Sequence, residues 1–183
     1  MKKTRRRAGH SLVEALTTLA VLLGLYSLAW PSMTDWLTSI QLRSAADALW
    51  TSLNLCRASA VQHGTRVAMC KSVDGSSCLD SLHWEQGWVI FYDNNNSGTL
   101  DPDETVLQRQ EAFSGQLIVK ANEPVSHYVS YTALGQAKLL GGSFQAGTFT
   151  VCSAHSADAG GYQVIVAASG RARLAKATAA QCH

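Results

Sequence analysis

The chain has 183 residues, of which 15 are Lys or Arg and 13 are Asp or Glu, for a formal charge of +2. That length holds one membrane-type helix and a single compact domain of about 100–150 residues, and leaves no room for a second globular domain. The positive sign is local: Lys2, Lys3, Arg5, Arg6 and Arg7 supply five of the fifteen basic residues, and the remaining ten face thirteen acidic ones, a formal −3.

Behind this basic leader, Leu12 to Trp30 is a nineteen-residue stretch with one charge, Glu14. It is long enough to cross a hydrocarbon core as a helix of about twenty residues, with the leader left on the cytoplasmic side. A secretory signal carries its small-residue cleavage site after the apolar run, whereas the candidate cut here, after Gly9, precedes it. A carboxylate inside an apolar span is costly and calls for a partner. Cleavage after Gly9 supplies one, because the new α-amino group at His10 lies one helical turn from Glu14, the fifth residue of the shortened chain.

The run K-K-T-R-R-R-A-G-H-S-L-V-E-A-L (residues 2–16) resembles the signal of type IV pilins and type II secretion pseudopilins. The resemblance implies that a prepilin peptidase cuts after Gly9 and N-methylates His10. It also implies that Glu14 pairs with the amine of a neighbouring subunit in the filament core. Two charges about 4 Å apart attract several-fold more strongly in a low-dielectric core than in water, enough to set the axial register of each added subunit. The family usually has Phe where this chain has His10.

Pro31 closes the apolar run and is expected to kink or locally melt the helix there. Beyond it, Leu42, Ala45, Ala46, Leu49, Leu53, Cys56 and Ala60 recur at steps of three and four, the buried face of a continuing helix, which Gly64 ends. From Thr65 the pattern changes to seven short β-type runs: 66–71, 87–92, 105–109, 116–121, 127–132, 147–152 and 162–168. A long helix whose second half packs on an antiparallel sheet buries both apolar faces, and this α+β arrangement is the type IV pilin fold. The divisions read as residues 1–9, a cleaved leader; 10–31, a transmembrane and filament-core helix; 32–64, an amphipathic helix; and 65–183, the β domain. The segment from Trp84 to Arg109 and the closing S-G-R-A-R resemble the GspH/FimT/FimU branch of the family.

Five cysteines behind an export-type segment point to an oxidising compartment and at least one disulfide. Cys70 and Cys78 flank a turn-rich heptapeptide that a local disulfide closes, Cys152 and Cys182 then tie the tail to the sheet, and Cys56 stays single. That is one of fifteen ways to draw two pairs from five cysteines. Metal binding through cysteine or histidine is the weaker reading, because there is no CxxC pair and the six histidines are scattered.

Two segments have the chemistry of binding sites. Asp93, Asn95, Ser97, Gly98, Asp101 and Glu104 fall at positions one, three, five, six, nine and twelve of an EF-hand-like loop, which makes them a candidate Ca²⁺ shell. Against it stands the strand-like sequence on either side and the frequency of acidic Asn/Gly turns as plain hairpin connectors. The second is Gly170-Arg171-Ala172-Arg173 with Lys176. In a strand the two arginines share a side, and three cations suit sequence-independent contact with DNA phosphates; the bland alternative is a solvated strand end. The motif resembles the GRxR of FimT-type pilins that bind DNA in natural transformation.

These features give a minor type IV pilin that primes or enters a pilus, whether or not it also catches double-stranded DNA, with a minor pseudopilin of a type II secretion system as the alternative. The resemblance implies other major and minor pilins, the prepilin peptidase and an inner-membrane assembly platform as partners. It implies a single-pass inner-membrane location before assembly and a place in the pilus afterwards. No cofactor beyond the candidate Ca²⁺ is expected. Neither is an enzyme, since no nucleophile–base pair, catalytic carboxylate pair or phosphate-binding glycine loop has suitable context.

Overall fold

The computed structural model describes residues 11–183 except 82, 116 and 156–159, and leaves out the side chains of residues 27–32, 34 and 35. Gly9 and His10 lie outside the described residues. The chain divides into two compact units, Met1–Thr38 and Ser39–His183.

In the first unit, helix α1 (Leu12–His63) begins. Its Leu12, Leu16, Leu19, Leu22 and Leu25 are 55–77 % exposed. The hydroxyls of Thr17 and Thr18 donate to the carbonyls of Glu14 and Ala15 at 2.9 Å, so these two hydroxyls are satisfied inside the helix. Among the described residues, which leave out the side chains of residues 27–32 where the nineteen-residue stretch ends, no helix is long and apolar enough to cross a membrane. Of the kink or melted turn expected at Pro31, the melted turn is not seen, since the helix continues through it.

In the second unit, α1 buries the predicted stripe completely: Leu42, Ala45, Ala46, Leu49, Leu53, Cys56 and Ala60 all belong to one hydrophobic core. The helix ends at His63, and Gly64 follows with φ 65°, the left-handed conformation that glycine adopts without a Cβ penalty.

Eight strands follow: β1 (Val67–Lys71), β2 (Trp88–Tyr92), β3 (Val106–Gln110), β4 (Leu117–Ala121), β5 (Tyr128–Tyr131), β6 (Gly147–Ser153), β7 (Gly161–Val166) and β8 (Ala172–Ala177). They form two four-stranded antiparallel sheets, ordered β3-β2-β1-β5 and β4-β6-β7-β8, rather than a single sheet. Both sheets contribute to the core beneath α1, with Trp84, Trp88, Tyr131 and Phe149 as its largest fully buried members. The Trp84 and Phe149 rings meet edge to face at 5.3 Å, and the Trp88 indole donates to the buried Ser52 hydroxyl at 3.0 Å.

The first sheet is covered on both faces. Val67, Met69 and Ile90 face the main core, whereas Ala68, Cys70, Val89 and Phe91 form a second, smaller cluster with Leu100 and Tyr128. This explains why β1 and β2 read as unbroken apolar runs instead of alternating ones. The disulfide Cys70–Cys78 closes the loop after β1, and Cys152–Cys182 ties the short helix α2 (Ala179–Cys182) to β6. Cys56 is single and buried, so the pairing expected from the sequence is the one in the structure.

Candidate functional site

Glu14 sits in the first turn of α1 and is exposed. A carboxylate there meets the partial positive charge of the unsatisfied N–H groups at the helix start. Its expected partner, the amine of His10, lies outside the described residues.

The paired arginines are positioned by a hairpin. After β7, the Gly170 amide donates to the Ala167 carbonyl at 2.8 Å and the Ala167 amide to the Arg171 carbonyl at 3.0 Å, which turns the chain into β8. Gly170 has φ 81°, and a Cβ on it would collide with the carbonyl oxygen of Gly135. The turn therefore rests directly on the backbone of the neighbouring 132–136 turn. That second turn is closed by Gly135 donating to Thr132 at 2.7 Å, and it is held to α1 by the Arg57 guanidinium, which donates to the Gly135 carbonyl at 3.0 Å.

Strand alternation does the rest. Ala172 and Leu174 turn toward the core and pack against it, so Arg171 and Arg173 share the opposite face, both exposed, about 6.6 Å apart along the strand. Lys176 has the parity of Leu174, not of the arginines. It lies on the other face of β8, paired with Tyr162, whose ring carries the Arg43 guanidinium at 5.4 Å. The structure thus brings together two of the three expected cations and separates the third, because the spacing from Arg173 to Lys176 is odd. The strand β8 is at the edge of its sheet, and the Trp50 indole donates to its Ala172 carbonyl at 3.1 Å. The positioning roles of Trp50, Arg57 and Gly135 had no sequence signal, whereas Gly170 is the leading glycine of the motif itself.

The acidic loop closes on its own backbone. The buried Asp93 carboxylate accepts the amides of Ser97 at 2.9 Å and Gly98 at 3.2 Å, while Glu104 accepts those of Asn94 at 2.9 Å and Asp101 at 3.2 Å. Asn95 and Ser97 both donate to Asp101. Asn96 takes a positive φ of 58°, and its side-chain oxygen accepts from Arg66 at 2.7 Å. Burial pushes the Asp93 carboxyl above its ordinary range, against the lowering effect of those amides. Among the described residues no group of three His, Cys, Asp or Glu side chains converges to hold a metal. These hydrogen bonds fix the turn between β2 and β3 and hold Asp93, Asn95, Ser97, Asp101 and Glu104 together in one loop.

Residues 45–170 match the family described as type II transport protein GspH, a match that ends one residue before Arg171. The domain is similar to the type IV minor pilin FimU of Pseudomonas aeruginosa, at 23 % identity and a TM-score of 0.55 over 76 % of this chain and 90 % of that one. It is also similar to the minor pseudopilin EpsH from the type 2 secretion system of Vibrio cholerae, at 13 % identity and a TM-score of 0.52 over 74 % of this chain and 97 % of that one. No curated protein matches the chain. The chain belongs to the GspH family, and its fold is that of the type IV minor pilins and minor pseudopilins.

Proposed function

We propose that this chain is a minor type IV pilin: cut after Gly9, methylated at His10, held in the inner membrane by its first helix, and drawn from there into a pilus. The observation that carries the reading is the apolar first half of α1, with its leucines exposed, at the head of a GspH-type domain. Such a surface needs cover, and lipid followed by the helices of neighbouring subunits provides it. Glu14 then pairs with the amine of an adjacent subunit. The exposed pair Arg171 and Arg173 supports a further part of the reading, capture of double-stranded DNA for uptake through two phosphate contacts per subunit.

A minor pseudopilin serving protein export is the second reading, favoured by the likeness of the fold to EpsH. A deletion strain separates the two: loss of pili, or of DNA uptake with pili intact, supports the pilus role. Normal piliation and uptake with arrested export of secreted enzymes overturns it in favour of the pseudopilin.

A further inference from the structure

Between the two sheets, a cleft of about 520 Å³ runs along the edge of β4 that has no strand partner among the described residues, beside the turn Trp84–Gln86 that packs against it. Strand β4 pairs with β6 on one side only. The Val119 amide points away from β6, since it donates to the Glu85 carboxylate at 3.0 Å, and strand alternation gives the Ala121 amide the same direction. One donor beside the cleft lacks an acceptor. The Trp84 indole N–H is buried with no hydrogen-bond partner among the described residues. Lys71, 5 % exposed, places its ammonium 2.8 Å from the Asp80 carbonyl, and burial lowers its pKa because the charge lacks solvation. Two acids also line the cleft: Glu85 accepts from Val119, and the exposed Asp80, 3.3 Å from His127, acts on the Lys71 charge as well.

A buried donor without an acceptor costs about 1–3 kcal/mol, and an unpaired strand edge is a template for another strand. Glu85 stands where the carbonyl of such a strand would stand. We propose that this cleft takes an extended, carboxylate-bearing segment of another protein chain, added along this edge of β4, with its carboxylate on Lys71 and Trp84. Backbone pairing gives the segment its grip and displaces Glu85 from Val119. The ammonium and the indole give the preference for an acid.

The test uses the full chain in detergent micelles and two hexapeptide pools, randomised over Val, Ile, Thr and Ser, with a fixed Glu or a fixed Gln at the third position. The Glu pool is expected to shift the Trp84 indole resonance and to slow hydrogen exchange at the Val119 and Ala121 amides, with the Gln pool about tenfold weaker. Ala121→Pro removes an amide outside the β4–β6 ladder and is expected to abolish these effects while the rest of the spectrum is kept. Unmoved Trp84, Val119 and Ala121 signals at millimolar Glu pool overturn the proposal, as does equal binding of the two pools. The same shifts from glutarate alone overturn strand addition in favour of a small-anion site, and shifts that follow protein concentration without peptide replace the partner by a second copy of the chain.

Discussion

Gly170 lies against the carbonyl oxygen of Gly135 so closely that no side chain fits between them. Two turns far apart in sequence are thereby locked together, and Arg171 leaves the joint in a fixed direction. Gly170→Ala is expected to cost about 1–2 kcal/mol from its positive φ alone, and more from the collision, in denaturant unfolding. It is expected to weaken DNA retention although no charge changes. Ser169→Ala in the same turn is expected to stay within about 0.5 kcal/mol of the parent.

Removing both arginines tests the charge geometry. Two phosphate contacts give a log–log salt slope of about −2, so Arg171→Ala with Arg173→Ala is expected to flatten it to near zero. Lys176→Ala is expected to leave the slope unchanged, because Lys176 lies on the other face of β8. Binding of the double variant as tight and as salt-sensitive as the parent's, in a gel shift, contradicts the site.

The Trp88–Ser52 hydrogen bond joins the first sheet to α1 inside the core. Ser52→Ala leaves a buried indole N–H without an acceptor and is expected to destabilise the domain by about 1–3 kcal/mol. The shift of the urea midpoint, read through tryptophan fluorescence, measures it.

The two disulfides close loops of different length, with sequence separations of 8 and 30. Loop-closure entropy assigns about 2.5 kcal/mol to the shorter and about 3.6 kcal/mol to the longer. Paired Cys→Ser replacement is therefore expected to lower the unfolding free energy more for Cys152 and Cys182 than for Cys70 and Cys78. The reverse order would show that tail docking contributes less than chain entropy predicts.

The acidic loop is expected to fold without metal. Millimolar CaCl₂ should leave the thermal midpoint where EDTA leaves it, and Glu104→Ala, which strands the Asn94 and Asp101 amides, should lower the midpoint in both. A rise of several degrees with Ca²⁺ alone contradicts the hydrogen-bonded turn.

The sequence made the helix legible because its buried stripe, from Leu42 to Ala60, repeats at helical spacing and stops at a glycine. Seven strands were legible for the same kind of reason, with ends off by a residue or two where terminal pairs fray. Strand β8 was harder to see, because Ala172, Leu174, Ala175 and Ala177 have little β preference and the segment is held by pairing with β7 and by Trp50. The separation into two sheets depends on which strands meet across long loops, which local pattern does not encode. The acidic loop was legible as a turn of alternating oxygens, but spacing omits where the amides point, and here they point at Asp93 and Glu104. Parity was available for Lys176, an odd number of residues from Arg173, and only the strand assignment made it decisive.

The most direct test of the pilin reading is the intact mass of the chain taken from sheared surface filaments. The account predicts a polypeptide that begins at His10, carries one N-methyl group and lacks residues 1–9, with Glu14→Ala absent from the filaments though still processed in the membrane. A chain that keeps residues 1–9, or one cut beyond the apolar stretch and never found in filaments, contradicts it.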